Sequence, residues 1–184
     1  MRNIPAATAL LMTIWSVSTV AEDAKAVIDE ASRAMGATGL DSVTYSGSAA
    51  VGNFGQSRTI SFRLASTAIR NYTRTIDFTQ LTSRATGITV RPAVPGGPTP
   101  QPGTYDQTIN PLNPAWAQQL QIWVTPWGFL RGAATSNATM RSRKIDGVTS
   151  RVVTWSPGQK APSGQAYRVV GYIDPQNMVE RVET

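Results

Sequence analysis

Hydrophobic positions along the chain change their period three times. Over residues 22–35 they recur at helical spacing: Val27, Ile28, Ala31, Ala34 and Met35 share one face, acidic residues fill the first turn, and Gly36 follows. That pattern predicts an amphipathic helix whose acidic start complements the helix dipole. From Gly39 the period falls to two. Ser42–Val51 places Val43, Tyr45, Ala49 and Val51 on one face. Residues 57–64 alternate cleanly, with Ile60, Phe62 and Leu64 inward and Thr59, Ser61 and Arg63 outward. Residues 69–78 and 80–90 continue the alternation and are rich in threonine and β-branched side chains. The gaps are short and hold Gly, Asn or Ser, so the run predicts four strands in an antiparallel meander.

The helical period returns over 113–137. Asn113-Pro114 predicts a helix start, because Asn caps free N–H groups and Pro is tolerated at the first helical position. Trp116, Leu120 and Trp123 then share a face. Thr125-Pro126 repeats the signal, so Pro126 ends one helix and opens the next, with Phe129, Leu130, Ala133 and Ala134 as its stripe and Asn137 at its end. Aromatics at this spacing predict a plug for a hydrophobic core. Trp127 differs: beside Gly128 at the start of the second helix, its ring is expected to point outward. Trp123, Trp127 and Phe129, with Tyr72 from the strand at 69–78, are the candidate apolar binding or docking residues.

Strands resume at 138–144 and 148–156, separated by Ile145-Asp146-Gly147, a strong hairpin signal. Residues 167–174 are apolar on both faces, which predicts a central strand. A turn at Asp174-Pro175-Gln176-Asn177 leads to a last strand over 178–184. A strand ending at the final residue suggests a domain, 22–184, truncated at its C-terminus. Between the two strand-rich halves, 91–103 alternates prolines with glycines and predicts a surface loop of polyproline character.

Composition narrows the chemistry. The chain of 184 residues suits one domain. It has no cysteine and no histidine, so disulfides, thiol nucleophiles, the commonest general base and the commonest transition-metal ligand are excluded. Of the 11 acidic residues only Glu22-Asp23 and Asp29-Glu30 are adjacent, both pairs in the predicted helix, and no metal or other cofactor is expected. The net charge of +6 is spread through the strands rather than clustered, which speaks against a nucleic-acid partner. There is no phosphate loop and no nucleophile elbow. Ser46-Gly47-Ser48 has no histidine partner. Lys25, Lys144 and Lys160 lie in segments that read as exposed. Asp77 and Asp174, near strand ends, are expected to cap turns.

Residues 1–21 read as a secretory signal peptide: Arg2 supplies the charge, 4–20 the apolar run, and Thr19-Val20-Ala21 a small-residue cleavage site, with Ala24-Lys25-Ala26 as a second candidate. The run is short for a span of roughly 20 residues. Cleavage, export to the periplasm or beyond, and no stable membrane insertion are therefore expected.

Several strings in order carry a resemblance. They are Val43-Thr44-Tyr45-Ser46-Gly47-Ser48, Tyr72-Thr73-Arg74-Thr75-Ile76-Asp77, Thr125-Pro126-Trp127-Gly128-Phe129-Leu130, and Val170-Gly171-Tyr172-Ile173-Asp174 with Gln176-Asn177 and Val179-Glu180-Arg181-Val182-Glu183-Thr184. Together they resemble the N-terminal region of exported bacterial proteins of the metallo-β-lactamase-fold hydrolase group, in which a β-rich domain precedes the metal-binding one. That family's His-x-His-x-Asp-His cluster has no counterpart here, so none of its catalytic residues is carried over. The resemblance implies a leading domain without the site, and hydrolase activity only if a metal-binding domain follows.

The expected architecture is α+β: a curved, half-barrel-like antiparallel sheet of about seven or eight strands with helices on its concave face, in a single domain. Two roles compete. One is a non-catalytic accessory domain that packs on a catalytic domain of the same protein or helps it bind substrate. The other is a stand-alone periplasmic carrier of a lipid, hydrophobic peptide or other small hydrophobic ligand.

Overall fold

The computed structural model describes residues 19–52, 66–93, 96–111, 116–145, 147–158, 160–161 and 163–184, without the side chains of 19–23 and 116–118. The strand expected at 57–64, the cap at Asn113-Pro114, Asp146 and residues 1–18 lie outside the described residues.

The order of elements is α1 (Thr19–Ala34), β1 (Ser42–Val51), β2 (Thr67–Asp77), β3 (Thr82–Val90), β4 (Gly103–Ile109), α2 (Trp116–Trp123), α3 (Pro126–Thr135), β5 (Thr139–Ile145), β6 (Val148–Trp155), β7 (Val169–Ile173) and β8 (Val179–Glu183). The fold is α+β, as the alternation of periods predicts. The strands do not run as one continuous sheet. They pair as two four-stranded antiparallel sheets, β1-β2-β3-β4 and β5-β6-β7-β8. The reason lies in the chain order, since α2 and α3 fall between β4 and β5 and interrupt the meander. Two further differences concern the first sheet. β1 pairs directly with β2, with Ser42 opposite Asp77. And β4, a strand no sequence pattern announced, completes the sheet against β3.

The helix pair forms as its capping residues dictate. The Thr125 hydroxyl accepts the Gly128 N–H at 3.1 Å and donates to the Ile122 carbonyl at 2.7 Å, and Pro126 opens α3. One side chain thus ties the end of α2 to the start of α3. A Cβ at Gly128 would run into the Ile122 carbonyl, so glycine is required for the two helices to meet this closely.

The second sheet carries the larger core. Phe129 and Leu130 of α3 pack with Val153, Trp155, Val169 and Ile173 of the sheet and with Val27, Ile28 and Ala31 of α1. Phe129 is completely buried, with its ring against Gly171, where a Cβ would run into it. Gly132 lies likewise against Trp155. Fully burying a ring such as Phe129 contributes about 1.5–3 kcal/mol. Arg151 then fastens α1 to this sheet: Nη2 donates to the Asp174 carbonyl and to Asn177 Oδ1, both at 2.6 Å, and Nη1 reaches Glu30 at 3.4 Å. β7 lies between β6 and β8, the central place its two apolar faces predict.

A smaller cluster, Ile76, Phe78, Ile109 and Ile122, holds the first sheet against α2, with Leu40, Val43 and Tyr45 around it. Trp127 packs against both clusters. The turn aspartates behave as their positions predict. Asp77 Oδ1 accepts the N–H groups of Thr79 and Gln80 at 2.8 Å each, and Asp174 Oδ1 accepts that of Met178 at 2.7 Å.

Candidate functional site

The two faces of the first sheet differ in chemistry. Its outer face is hydroxyl-rich: Thr44 pairs with Thr75 at 2.9 Å, Ser46 with Thr73 at 3.0 Å, and Arg84 with Asp106 at 2.9 Å. Its inner face is assembled from two register rows. Tyr45, Arg74, Ala85 and Gln107 lie opposite one another across β1 to β4. In the adjoining row, Gly47 is opposite Tyr72 and Gly87 opposite Tyr105. A bulge between Arg70 and Thr73, with Asn71 at a φ of 52°, inserts the residue that lets Ile69 and Tyr72 line the same cleft.

Gly87 decides what the second row looks like. Its position in β3 lies between Tyr72 and Tyr105, and it has no side chain to separate them. Their ring centroids are 6.2 Å apart, and Tyr45 and Tyr72 are 6.3 Å apart, both pairs tilted. The three half-buried rings therefore form a continuous row over three strands. Such tilted pairs, at about 4.5–7 Å, are favourable beyond their buried area. The Tyr105 hydroxyl donates to Gln107 Oε1 at 3.0 Å.

Beside this row is a cleft of about 350 Å³, bounded by the end of β1 at Ala50 and Val51, by Ile69, Tyr72 and Tyr105, and by Gln121 of α2. Arg74 lies one register row behind it and is only 7% exposed. Its Nε donates to the Ser83 hydroxyl at 2.7 Å, while its buried Nη2 has no hydrogen-bond partner. Among the described residues it takes part in no ion pair. Burial pushes the Tyr45 phenol above its ordinary value, and the Arg74 guanidinium pulls it partly back. Tyr105 is raised by burial and by its neighbour Tyr72, again against the pull of Arg74. Both phenols are neutral at physiological pH and remain donors.

The four candidate residues do not form one site. Tyr72 lines the cleft. Phe129 is 0% exposed and belongs to the core of the second sheet, so it is no docking residue; the sheet folds over the stripe that made it look apolar and available. Trp123 is half-buried and meets Trp155 edge-on at 5.3 Å and 88°. Trp127 is half-buried between the two clusters rather than held out to a partner. Tyr45, Arg74, Tyr105 and Gln107 were not singled out from the sequence. One signal for Arg74 was readable: it occupies the inward phase of β2, between Tyr72 and Ile76, where an unpaired charge is out of place. Tyr105 gave none, because β4 itself was not recognised.

Among the described residues no three carboxylates lie together to hold a metal ion, and no helix is long and apolar enough to cross a membrane. Comparison with protein-family models, curated proteins and solved structures finds no match.

Proposed function

We propose that this chain is a non-catalytic binding domain, of the exported carrier type, that takes a small hydrophobic ligand into the cleft beside the tyrosine row. The observation that supports this reading is the row itself. Three tyrosines share one face of a sheet and are neither sealed into a core nor fully exposed. Rings with an apolar body and a polar tip suit a ligand that is partly dehydrated. The cleft volume is at the small end of the roughly 300–1,000 Å³ typical of ligand sites, which fits a single chain or ring system rather than a folded partner. The absence of histidine and cysteine from the sequence agrees with binding rather than acid–base chemistry. An accessory domain beside a hydrolase would present the same cleft to substrate, but nothing about the cleft requires a second domain, so the carrier reading is preferred.

Titration with the uncharged fluorescent probe N-phenyl-1-naphthylamine tests the proposal. The wild-type chain should bind it saturably. Tyr72→Ala and Tyr105→Ala should each weaken binding about tenfold, the equivalent of about 1.4 kcal/mol. Saturable binding that both substitutions leave unchanged would place the ligand elsewhere and refute the reading.

A further inference from the structure

We infer that the ligand is a carboxylate amphiphile, an apolar chain or ring ending in a carboxylate, whose head is held by Arg74. This inference rests on the cleft being a binding site and adds the charge of what enters it.

The argument starts from an unbalanced charge. A guanidinium keeps its charge in a protein, whereas burial can neutralise an amine. Buried charges are ordinarily paired or fully hydrogen-bonded. Arg74 is neither among the described residues. The Ser83 hydroxyl, itself only 4% exposed, satisfies Nε, the Tyr45 phenol also interacts with the guanidinium, both partners are neutral, and Nη2 is left over. The neighbours are phenols whose pKa values are raised, so they offer no negative charge of their own. The one aromatic ring recorded beneath a cation among the described residues is Tyr172, under Arg181 in the other sheet. A buried guanidinium with a spare N–H donor is suited to take an anion.

The surroundings narrow the class. One unused terminal nitrogen, on a guanidinium that also interacts with the neutral Tyr45 phenol, matches a singly charged carboxylate. A phosphate, with three terminal oxygens and up to two charges, needs more donors than the described residues provide here. Ile69 and Val51 at the cleft give the rest of the ligand an apolar wall. Arg74 does not itself bound the cleft and its Nη2 is buried, so neighbouring side chains must shift for the head to reach it.

The test uses displacement of the neutral naphthylamine probe by four ligands below their micelle concentrations: dodecanoate, dodecanol, dodecyl phosphate and dodecyltrimethylammonium. Dodecanoate should compete at least about tenfold better than dodecanol on the wild-type chain, and the ammonium should be the weakest. In Arg74→Met that preference should vanish, while the neutral probe still binds. Arg74→Lys should keep part of it. The wild-type ligand order stands alone should a variant fail to fold. Equal competition by dodecanoate and dodecanol, or an unchanged preference in folded Arg74→Met, would overturn the role of Arg74 but leave the cleft as an apolar site. Better competition by dodecyl phosphate would overturn the carboxylate assignment. No binding of probe or amphiphile would overturn both this inference and the binding role beneath it.

Discussion

Trp127 is the point at which the two halves of the molecule are most exposed to a single substitution. Its ring packs against the cluster beneath the second sheet and also against the one that holds the first. Truncating a fully buried Trp or Phe to Ala typically costs about 3–5 kcal/mol. Trp127 is half-buried, so about half of that, roughly 2 kcal/mol, is the expected loss. For a domain of this size 1 kcal/mol moves the melting temperature by about 2–4 °C, so Trp127→Ala should melt about 4–8 °C lower. The more specific expectation concerns cooperativity. In a background with Tyr167 and Tyr172 replaced by Phe, Tyr45, Tyr72 and Tyr105 report on the first sheet, while Trp123 and Trp155 report on the second. With Trp127 intact their thermal transitions should coincide, the mark of two-state unfolding. In Trp127→Ala the tyrosine transition should move below the tryptophan one, because the first sheet keeps only its smaller cluster. Trp123→Ala, which removes packing on the second sheet alone, should lower both transitions together. Coincident transitions in Trp127→Ala, or a melting temperature within about 1 °C of wild type, would refute the idea that this ring joins the two cores.

Three other outcomes follow from features already described. Tyr45 and Tyr105 have raised pKa values in the fold, so above about pH 10 the unfolded chain gives up protons that the native state retains. Stability should be fully present below that pH and fall as pH rises through the folded values, with tyrosinate absorbance appearing in step with unfolding; a stability that is flat to higher pH would contradict the assigned burial. Gly132→Ala should cost about 1–3 kcal/mol by overpacking against Trp155, read as a shifted denaturation midpoint with an unchanged slope. If the chain is exported with cleavage after Ala21, mass spectrometry of the mature protein should find Glu22 at its start, which leaves the buried α1 face at Ala24, Val27, Ile28 and Ala31 in place; an exported form that retains Met1 would rule out that cleavage.

What could be read in advance follows the range of the interactions involved. The α2–α3 pair was legible because its signals are local: Thr125 caps within three residues and Pro126 acts on its own φ. The strands of the second sheet were legible because each alternates or is bounded by a turn residue such as Asp174. β4 was not, since Gly-Thr-Tyr-Asp-Gln-Thr-Ile offers only Tyr105 and Ile109 as apolar positions and follows a proline-rich loop. The division into two sheets was equally hidden, because a meander broken by helices has the same local patterns as a continuous one. The candidate site was the least legible part. Tyr45, Tyr72 and Tyr105 come together only through register, including the bulge at Asn71, and pairing register over 30 residues or so is not a property of any short window. Phe129 was named both in the core plug and among the docking candidates, and its complete burial favours the first. Its apolar stripe was read correctly, but periodicity alone does not say whether a sheet will cover it.

The missing side chain at position 87 gives the cleft an adjustable dimension. A Cβ there would press on Ile69 and lie 3.0 Å from the Arg70 carbonyl, next to two of the tyrosines but without replacing either. Ala, Ser and Val at this one site form a graded series that presses β3 against Ile69 and against the β2 backbone beside Tyr72. If the cleft takes a ligand as proposed, its width is then a quantity that single-nucleotide steps at this codon can move.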